Sequence, residues 1–590
     1  LAENYIFYAE DAYDCLQSVP FNDAVATRFI NYFNMTLQFQ STLAFLKNPP
    51  PGYQQPPVDV EQVLEQIQSN VTAGNFKNQY SFEADVQLLI NRMHDSHVTL
   101  SAGILGAFSF ISPYGIVSVS VDGKQAPEIY IADDLLLSRV QGTTPSPIAK
   151  INGRDVIEVL TEFAALNSDG FLEPHADWNS LMDSPAQFVS GDLSIFQSGT
   201  FYPGHELNAT FKDGSSRDTF WLSVFNELDD TGPLTTAGDF YNYFVLGQLP
   251  ASYDPNSTWW PTLPDDDTSD DNTTTPDPYG AICATGTAAD QNWCSASYGA
   301  YPNNPVVSQF DLGVTGGGVV TGYFLEDMST GVLSIPSFHQ TDPDIENFNA
   351  AVDDFIGNAT QKNISRVVID LQTNSGGQVY LAFNTFKQFF YNIDPYAASR
   401  IRSHDLANVL GGAYSKWWKE LETDLGGQDG SNGELYNYTA AEEWVVVNRI
   451  KAETGGNFSS WADYYGRVSD RGDLFSAAVS LSERQHQSQN QANTSVATLQ
   501  SLRRGLRFQR LRRLDPIRLW YRQSRRFSIA ALGSREHRHP HRRPLLFDLR
   551  PFRRNDEPSR SPYNRRWGSS GTRPNASCRW KSWRPRVRSH

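Results

Sequence analysis

Apolar residues in the first hundred positions recur at helical spacing, interrupted by Pro49-Pro50-Pro51-Gly52. Two helical stretches are therefore predicted on either side of a break that no helix can cross. The second runs toward Leu88-Leu89-Ile90 and stops near His94-Asp95-Ser96-His97. From Val98-Thr99-Leu100 onward the pattern turns to β, with strands expected over 116–121, 129–131 and 148–151. An Asn152-Gly153 turn follows the last of these, and a helix begins at Val156.

Residues 251–280 are rich in Asp, Thr and Pro, as in Asp265-Asp266-Asp267 and Thr273-Thr274-Thr275, and read as a solvated loop. Beyond it Gly331-Val332-Leu333-Ser334-Ile335 is a strand. A helix then places Phe348, Val352, Phe355 and Ile356 on one face. The unbroken run Val367-Val368-Ile369-Asp370-Leu371 predicts a strand buried on both faces, followed by a helix from Gly376 to Phe390. Strand, helix, strand, helix implies a parallel α/β core.

Composition changes this picture in two ways. With 39% hydrophobic residues in 590, including 13 Trp, 26 Tyr and 35 Phe, the chain can fill sizeable cores. No apolar run approaches the length of a membrane span. The net charge of −18 hides an acidic body and a basic end, since residues 501–590 carry 26 Lys plus Arg against 5 Asp plus Glu. Asn-x-Ser/Thr triplets at Asn34, Asn70, Asn208, Asn256, Asn358, Asn363, Asn437 and Asn457 suit a chain that meets the glycosylation machinery. Cys283 and Cys294 are close enough in sequence to close a short disulfide loop, which also favours a secreted protein.

Two places can carry chemistry. His97 follows Asp95 at a helix-to-strand junction, where a general base could be oriented by a third group; a surface or capping histidine is the alternative. His94 would compete only in a metal site, for which no further ligands are visible. Asp370 to Gly377 leaves a strand and enters a helix, so the N–H groups near Gly376 and Gly377 could hold an oxyanion; the same turn also serves tight packing alone. Ser375 lacks the Gly-x-Ser-x-Gly elbow of a nucleophile.

Asp95-Ser96-His97, together with Asp370 to Gly377 running into Phe383-Asn384-Thr385-Phe386-Lys387-Gln388-Phe389-Phe390, resembles the tail-specific, C-terminal-processing serine peptidases. Within that family it is similar to the fungal secreted branch related to the chlamydial protease-like activity factor. The resemblance implies a multi-domain α/β protein with a helical N-terminal region over 1–100. A PDZ-like intervening domain over 101–320 and a β/α crotonase-like peptidase core over 321–480 would follow. It also implies that His97 is the base, that the turn at Gly376 and Gly377 lies beside the oxyanion, and that a nucleophile follows in a segment like T-D-G-x-C-x-S-T-C. The substrate would be protein or peptide, with no metal or organic cofactor, no nucleic acid and no membrane.

That segment is missing in the written frame, and residues 481–590 read instead as Arg-rich and without helical or strand periodicity. Taking the last two bases of each codon with the first of the next turns every Trp into Gly, so Trp567, Trp580 and Trp583 give glycines. With permitted codons, Arg535 to Phe552 becomes E-N-I-V-I-L-T-D-G-L-C-S-S-T-C-A-L-F, and Asn564 to Val587 becomes T-V-V-G-G-R-P-E-P-G-P-M-Q-A-V-G-G-S-R-G-A-R-V-Y. A single frame shift between about Ala478 and Arg535 is the expectation, with a disordered tail after it. The nucleophilic serine would then straddle Phe547 and Asp548, neither of which can attack a carbonyl as a serine does, leaving an inactive peptidase. The alternative is a non-catalytic secreted protein that captures peptide ends in a PDZ-like groove.

Overall fold

In the computed structural model, residues 6–480 are described except 101–102, 228–233, 235, 250–282, 284–292, 296, 298, 300, 303–304, 311, 313–317, 341–343, 394 and 424–432. The loop expected over 251–280 and the tail from 481 onward lie outside the described residues.

The N-terminal region holds five helices: α1 (Ala9–Gln17), α2 (Asp23–Leu37), α3 (Leu43–Lys47), α4 (Val60–Thr72) and α5 (Gln79–Asn91). Three start at side-chain caps, where Asn22, Asp59 and Asn78 accept from the N–H groups of Val25, Gln62 and Ser81. Ile30, Phe33, Leu64, Ile67, Phe82, Val86 and Leu89 pack into one core, and Pro49-Pro50-Pro51-Gly52 separates α3 from α4.

Glu83 on α5 is only 5% exposed. Its carboxylate accepts from Gln79 Nε2 at 2.8 Å and Leu105 N at 3.2 Å, tying α5 to the segment that enters the middle domain. Burial pushes its pKa from 4.5 up to about 7, against the lowering effect of those hydrogen bonds. Folded Glu83 thus keeps its proton where the unfolded carboxyl has released it, so the native state binds more protons between 4.5 and about 7. Stability therefore falls as pH rises through that window, by roughly 3 kcal/mol. Urea midpoints measured at both ends of the window should show this loss in the wild type. They should show little of it in Glu83→Gln, and an unchanged slope in that variant would contradict the assignment.

The middle domain contains β2 (Phe108–Ile111), β3 (Ile116–Val119), β4 (Glu128–Ile131), β5 (Ile148–Ile151), β6 (Arg154–Asp155), β7 (Glu206–Phe211), β8 (Ser216–Phe220) and β9 (Leu222–Phe225). Strands β6-β5-β7-β8 form one antiparallel sheet, and β3 pairs with β4. Asn152 and Gly153, at φ 48° and 78°, make the two-residue turn that joins β5 to β6, a turn that needs residues tolerating positive φ. The helix from Val156 runs to Asn167. A short strand that sequence reasoning missed, β1 (Ile6–Tyr8), pairs with β9, and β9 with β2, so the start of the chain is sewn into this domain.

Beyond it stands a sheet ordered β10 (Val307–Ser308), β11 (Thr321–Leu325), β12 (Thr330–Ser334) and β13 (Arg366–Asp370). Only β12 and β13 are parallel, joined through the helix Asp344–Gln361, which buries Phe348, Val352 and Phe355 as expected. The expectation of a buried strand at 367–371 is corrected here. Val367, Val368, Ile369 and Leu371 are 41%, 49%, 40% and 47% exposed. The strand forms, but among the described residues it pairs along one edge only, and its side chains on both faces are open to solvent. The following helix is Val379–Phe389, shorter than expected, which leaves Gly376 and Gly377 in the turn before it.

Residues 398–480 add the helix Asp405–Thr423 and a small sheet of Ala398–Ser399, Val479–Ser480 and Ile450–Lys451. A two-stranded ribbon, Val468–Asp470 with Asp473–Phe475, completes this part. Among the described residues no helix is long and apolar enough to cross a membrane.

Candidate active site

Helix α5 ends at Asn91, and His94 takes φ 51°, which turns the chain sharply before Asp95. The Asp95 carboxylate then folds back on His97. Its Oδ1 accepts from the His97 N–H at 3.0 Å and meets the ring Nδ1 at 3.0 Å, while its Oδ2 accepts from Gln40 Nε2 at 2.9 Å. Partial burial pushes the Asp95 carboxyl up, but the hydrogen bonds from Gln40 and from the backbone and ring of His97 outweigh it and hold the pKa below the usual value. The His97 side chain is 95% exposed, with Nδ1 engaged and Nε2 facing away from the carboxylate. Such a pair can accept a proton at Nε2 and stabilise the imidazolium that results.

His94 is built differently. It is half-buried, burial holds its pKa below the ordinary value, and its Nδ1 has no hydrogen-bond partner. Among the described residues no cluster of His, Cys, Asp and Glu is arranged to hold a metal.

The glycine turn is held from below. Asn374 Nδ2 donates to Ile335 O at 2.7 Å, and its Oδ1 accepts from the Gly376 N–H at 2.7 Å. Phe338 N donates to Gly376 O and Gln378 N to Phe338 O, each at 2.8 Å, so Gly377 lies flat against Phe338. Of the two candidate oxyanion donors, Gly376 already spends its N–H on Asn374, whereas the Gly377 N–H takes no part in either bond of this bridge. Thr373, at φ 52°, carries the turn and meets the Ser184 hydroxyl of the middle domain. Among the described residues no hydrogen bond links His97 to the turn; each is built by its own segment.

Gln40 and Asn374 were not visible as site residues in the sequence. Asn374 had a local signal, since an Asn two residues before a Gly at a turn offers its side chain to the backbone. Gln40 had none, because its partner lies 55 positions away.

Cys283 and Cys294 are joined in a disulfide. Asn34, Asn363, Asn437 and Asn457 are exposed, Asn70, Asn208 and Asn358 half-exposed, and Asn256 lies outside the described residues, as do Phe547 and Asp548.

The family model for a CPAF-like PDZ domain matches residues 109–229, which span β2 to β9. The chain is 25% identical over 430 residues to the Peptidase S41 family proteins phomP1' and phomP1 of Diaporthe leptostromiformis, an alignment covering 71% of this chain and 57% of theirs. It therefore spans little more than half the length of these relatives. A shorter match, 24% identical over 152 residues, covers 25% of the chain and 29% of the Peptidase S41 family protein ustP of Aspergillus flavus. These matches show that the chain is similar to the tail-specific, S41 peptidases, with CPAF-related features.

Proposed function

We propose that this protein is a secreted, glycosylated serine peptidase whose nucleophile segment is encoded in the other frame, so that the chain as written is inactive. The observation that carries this reading is the edge strand β13. Successive side chains of a strand point to opposite faces, yet Val367, Val368 and Ile369 are all open to solvent. A continuous Val-Val-Ile run on an open sheet edge is a strand suited to the middle of a sheet, and left exposed it is an aggregation hazard. The shifted-frame string E-N-I-V-I-L-T-D has the length and apolar content of its missing neighbour, and it ends at the G-L-C-S-S-T-C turn. A strand laid parallel beside β13, as β12 is, would bring that serine to the end of the sheet where Asp370 leads into the glycine turn.

In the restored protein the serine Oγ bonds to the peptide carbonyl carbon while its proton passes to His97 Nε2. The Gly377 N–H serves the developing oxyanion, and Asp95 stabilises the imidazolium. His97 then protonates the departing amine as the C–N bond breaks, and water releases the acyl group by the same route in reverse.

The test is expression of three chains: as written, with the frame restored, and restored with that serine changed to Ala. Cleavage of unfolded protein substrates by the second alone supports the reading; equal activity in all three, or none in any, rejects it. A binding role is the second reading, favoured by the match to a PDZ domain over 109–229. It predicts peptide capture by the chain as written that is indifferent to His97→Ala.

A further inference from the structure

The loop after α2 makes three consecutive side-chain contacts in two directions. Gln38 accepts from Arg402 Nη1 through both its backbone O, at 3.1 Å, and its Oε1, at 2.8 Å. Phe39 meets the His404 ring edge-on at a centroid distance of 4.5 Å and the Trp444 ring at 6.3 Å. Gln40 faces the other way and donates through Nε2 to Asp95 Oδ2 and to Thr42 Oγ1, both at 2.9 Å. Two residues of the loop are therefore gripped by the part of the chain that follows the peptidase sheet, and the third grips the carboxylate that holds His97.

The grip is rigid at its far end. Arg402 is bidentate to Asp473, with Nε to Oδ2 at 2.9 Å and Nη2 to Oδ1 at 3.0 Å, and the two side chains are only 13% and 17% exposed. A planar guanidinium that uses one edge on a carboxylate and its remaining nitrogen on Gln38 has little freedom left. A second clasp grips α3, the helix that follows this loop. Arg471 Nη1 donates to Asn48 O at 2.8 Å, and its guanidinium lies 4.9 Å from the centre of the Phe45 ring.

We propose that residues 398–480 position the base: Arg402 and its neighbours fix Gln38 and Phe39, Gln40 thereby fixes Asp95, and Asp95 fixes the tautomer of His97. The proposal rests on the reading of His97 as the base, and Arg402, Gln38 and Gln40 act in it as positioning residues, none of them touching substrate. Two regions more than 300 positions apart in sequence are thereby coupled through one loop. Loss of the C-terminal clasp would leave His97 in place but free to move its proton from Nδ1 to Nε2, which would block the nitrogen needed for catalysis.

The test reads the ring of His97 directly. Nitrogen NMR of the full chain as written, with the signal assigned by His97→Gln, reports which nitrogen of the neutral ring bears the proton. The wild type should hold it mainly on Nδ1. Gln40→Leu and Arg402→Met should each lower the Nδ1–H to Nε2–H ratio by about threefold or more, the scale of one lost hydrogen bond. Arg154→Met, which breaks a surface pair with Glu162 in the middle domain, should leave the ratio unchanged. Should Arg402→Met fail to fold with Asp473 left alone, Gln38→Met, which removes one of the two acceptors on Nη1, carries the same expectation. An unchanged ratio in folded Gln40→Leu and in the folded clasp variant overturns the proposal. Because the readout needs no nucleophile, its failure is distinct from a failure of the peptidase reading, which shows only as absent cleavage by the restored chain.

Discussion

In the frame-restored protein, His97→Ala is expected to lower kcat by about four orders of magnitude with little change in KM. A serine hydroxyl is a weak nucleophile until a neighbouring base takes its proton, and His97 Nε2 both takes that proton and returns it to the departing amine. The ring is exposed and makes its side-chain hydrogen bond to Asp95, so removing it should cost the fold little. Thermal unfolding of the variant should accordingly match its parent, which separates a catalytic loss from a structural one. If KM rose while kcat stayed, the residue would bind substrate and not serve as the base.

The second large effect is structural and does not depend on the reading frame. Gly377 adopts φ 133°, and a Cβ added there would stand 2.1 Å from the carbonyl carbon of Phe338 and 2.2 Å from the His339 nitrogen. Both are backbone atoms, so no rotamer change relieves the clash, and the bridge to Phe338 must break. Gly377→Ala should therefore lose about 3 kcal/mol or more, measured as a fall in the urea midpoint of the chain as written. Gly376 offers a comparison, since it also has positive φ, 97°, but a Cβ there meets nothing within 4 Å. Gly376→Ala should cost only the backbone strain, about 1–2 kcal/mol. Equal losses at the two positions would mean that the close approach to Phe338 is not what the second glycine serves.

The parts legible in the sequence are those set by local chemistry. Pro49-Pro50-Pro51-Gly52 separates α3 from α4 because proline cannot donate an N–H to a helix and restricts the residue before it. Asn152-Gly153 made its turn for an equally local reason. Pairing of Ile6–Tyr8 with β9 was not legible, since a three-residue strand has too little pattern and its partner lies over 200 positions away. Burial of 367–371 failed for a different reason. Apolar periodicity reports what a strand is suited to, whereas burial requires neighbours, and the described residues supply only one. The Asp95–His97 pair was within reach of the sequence because its members are two residues apart; Gln40 and Arg402 were not, because only the tertiary fold brings them together.

If the nucleophile of a serine peptidase lies in the alternative frame, sequencing the transcript across the codons for Ala478 to His590 will show it. One base added or removed, restoring T-D-G-L-C-S-S-T-C-A-L-F, is the predicted result. A transcript that confirms the Arg-rich frame would contradict it, leave the open edge of β13 without its partner strand, and turn the account toward peptide binding by the domain at 109–229.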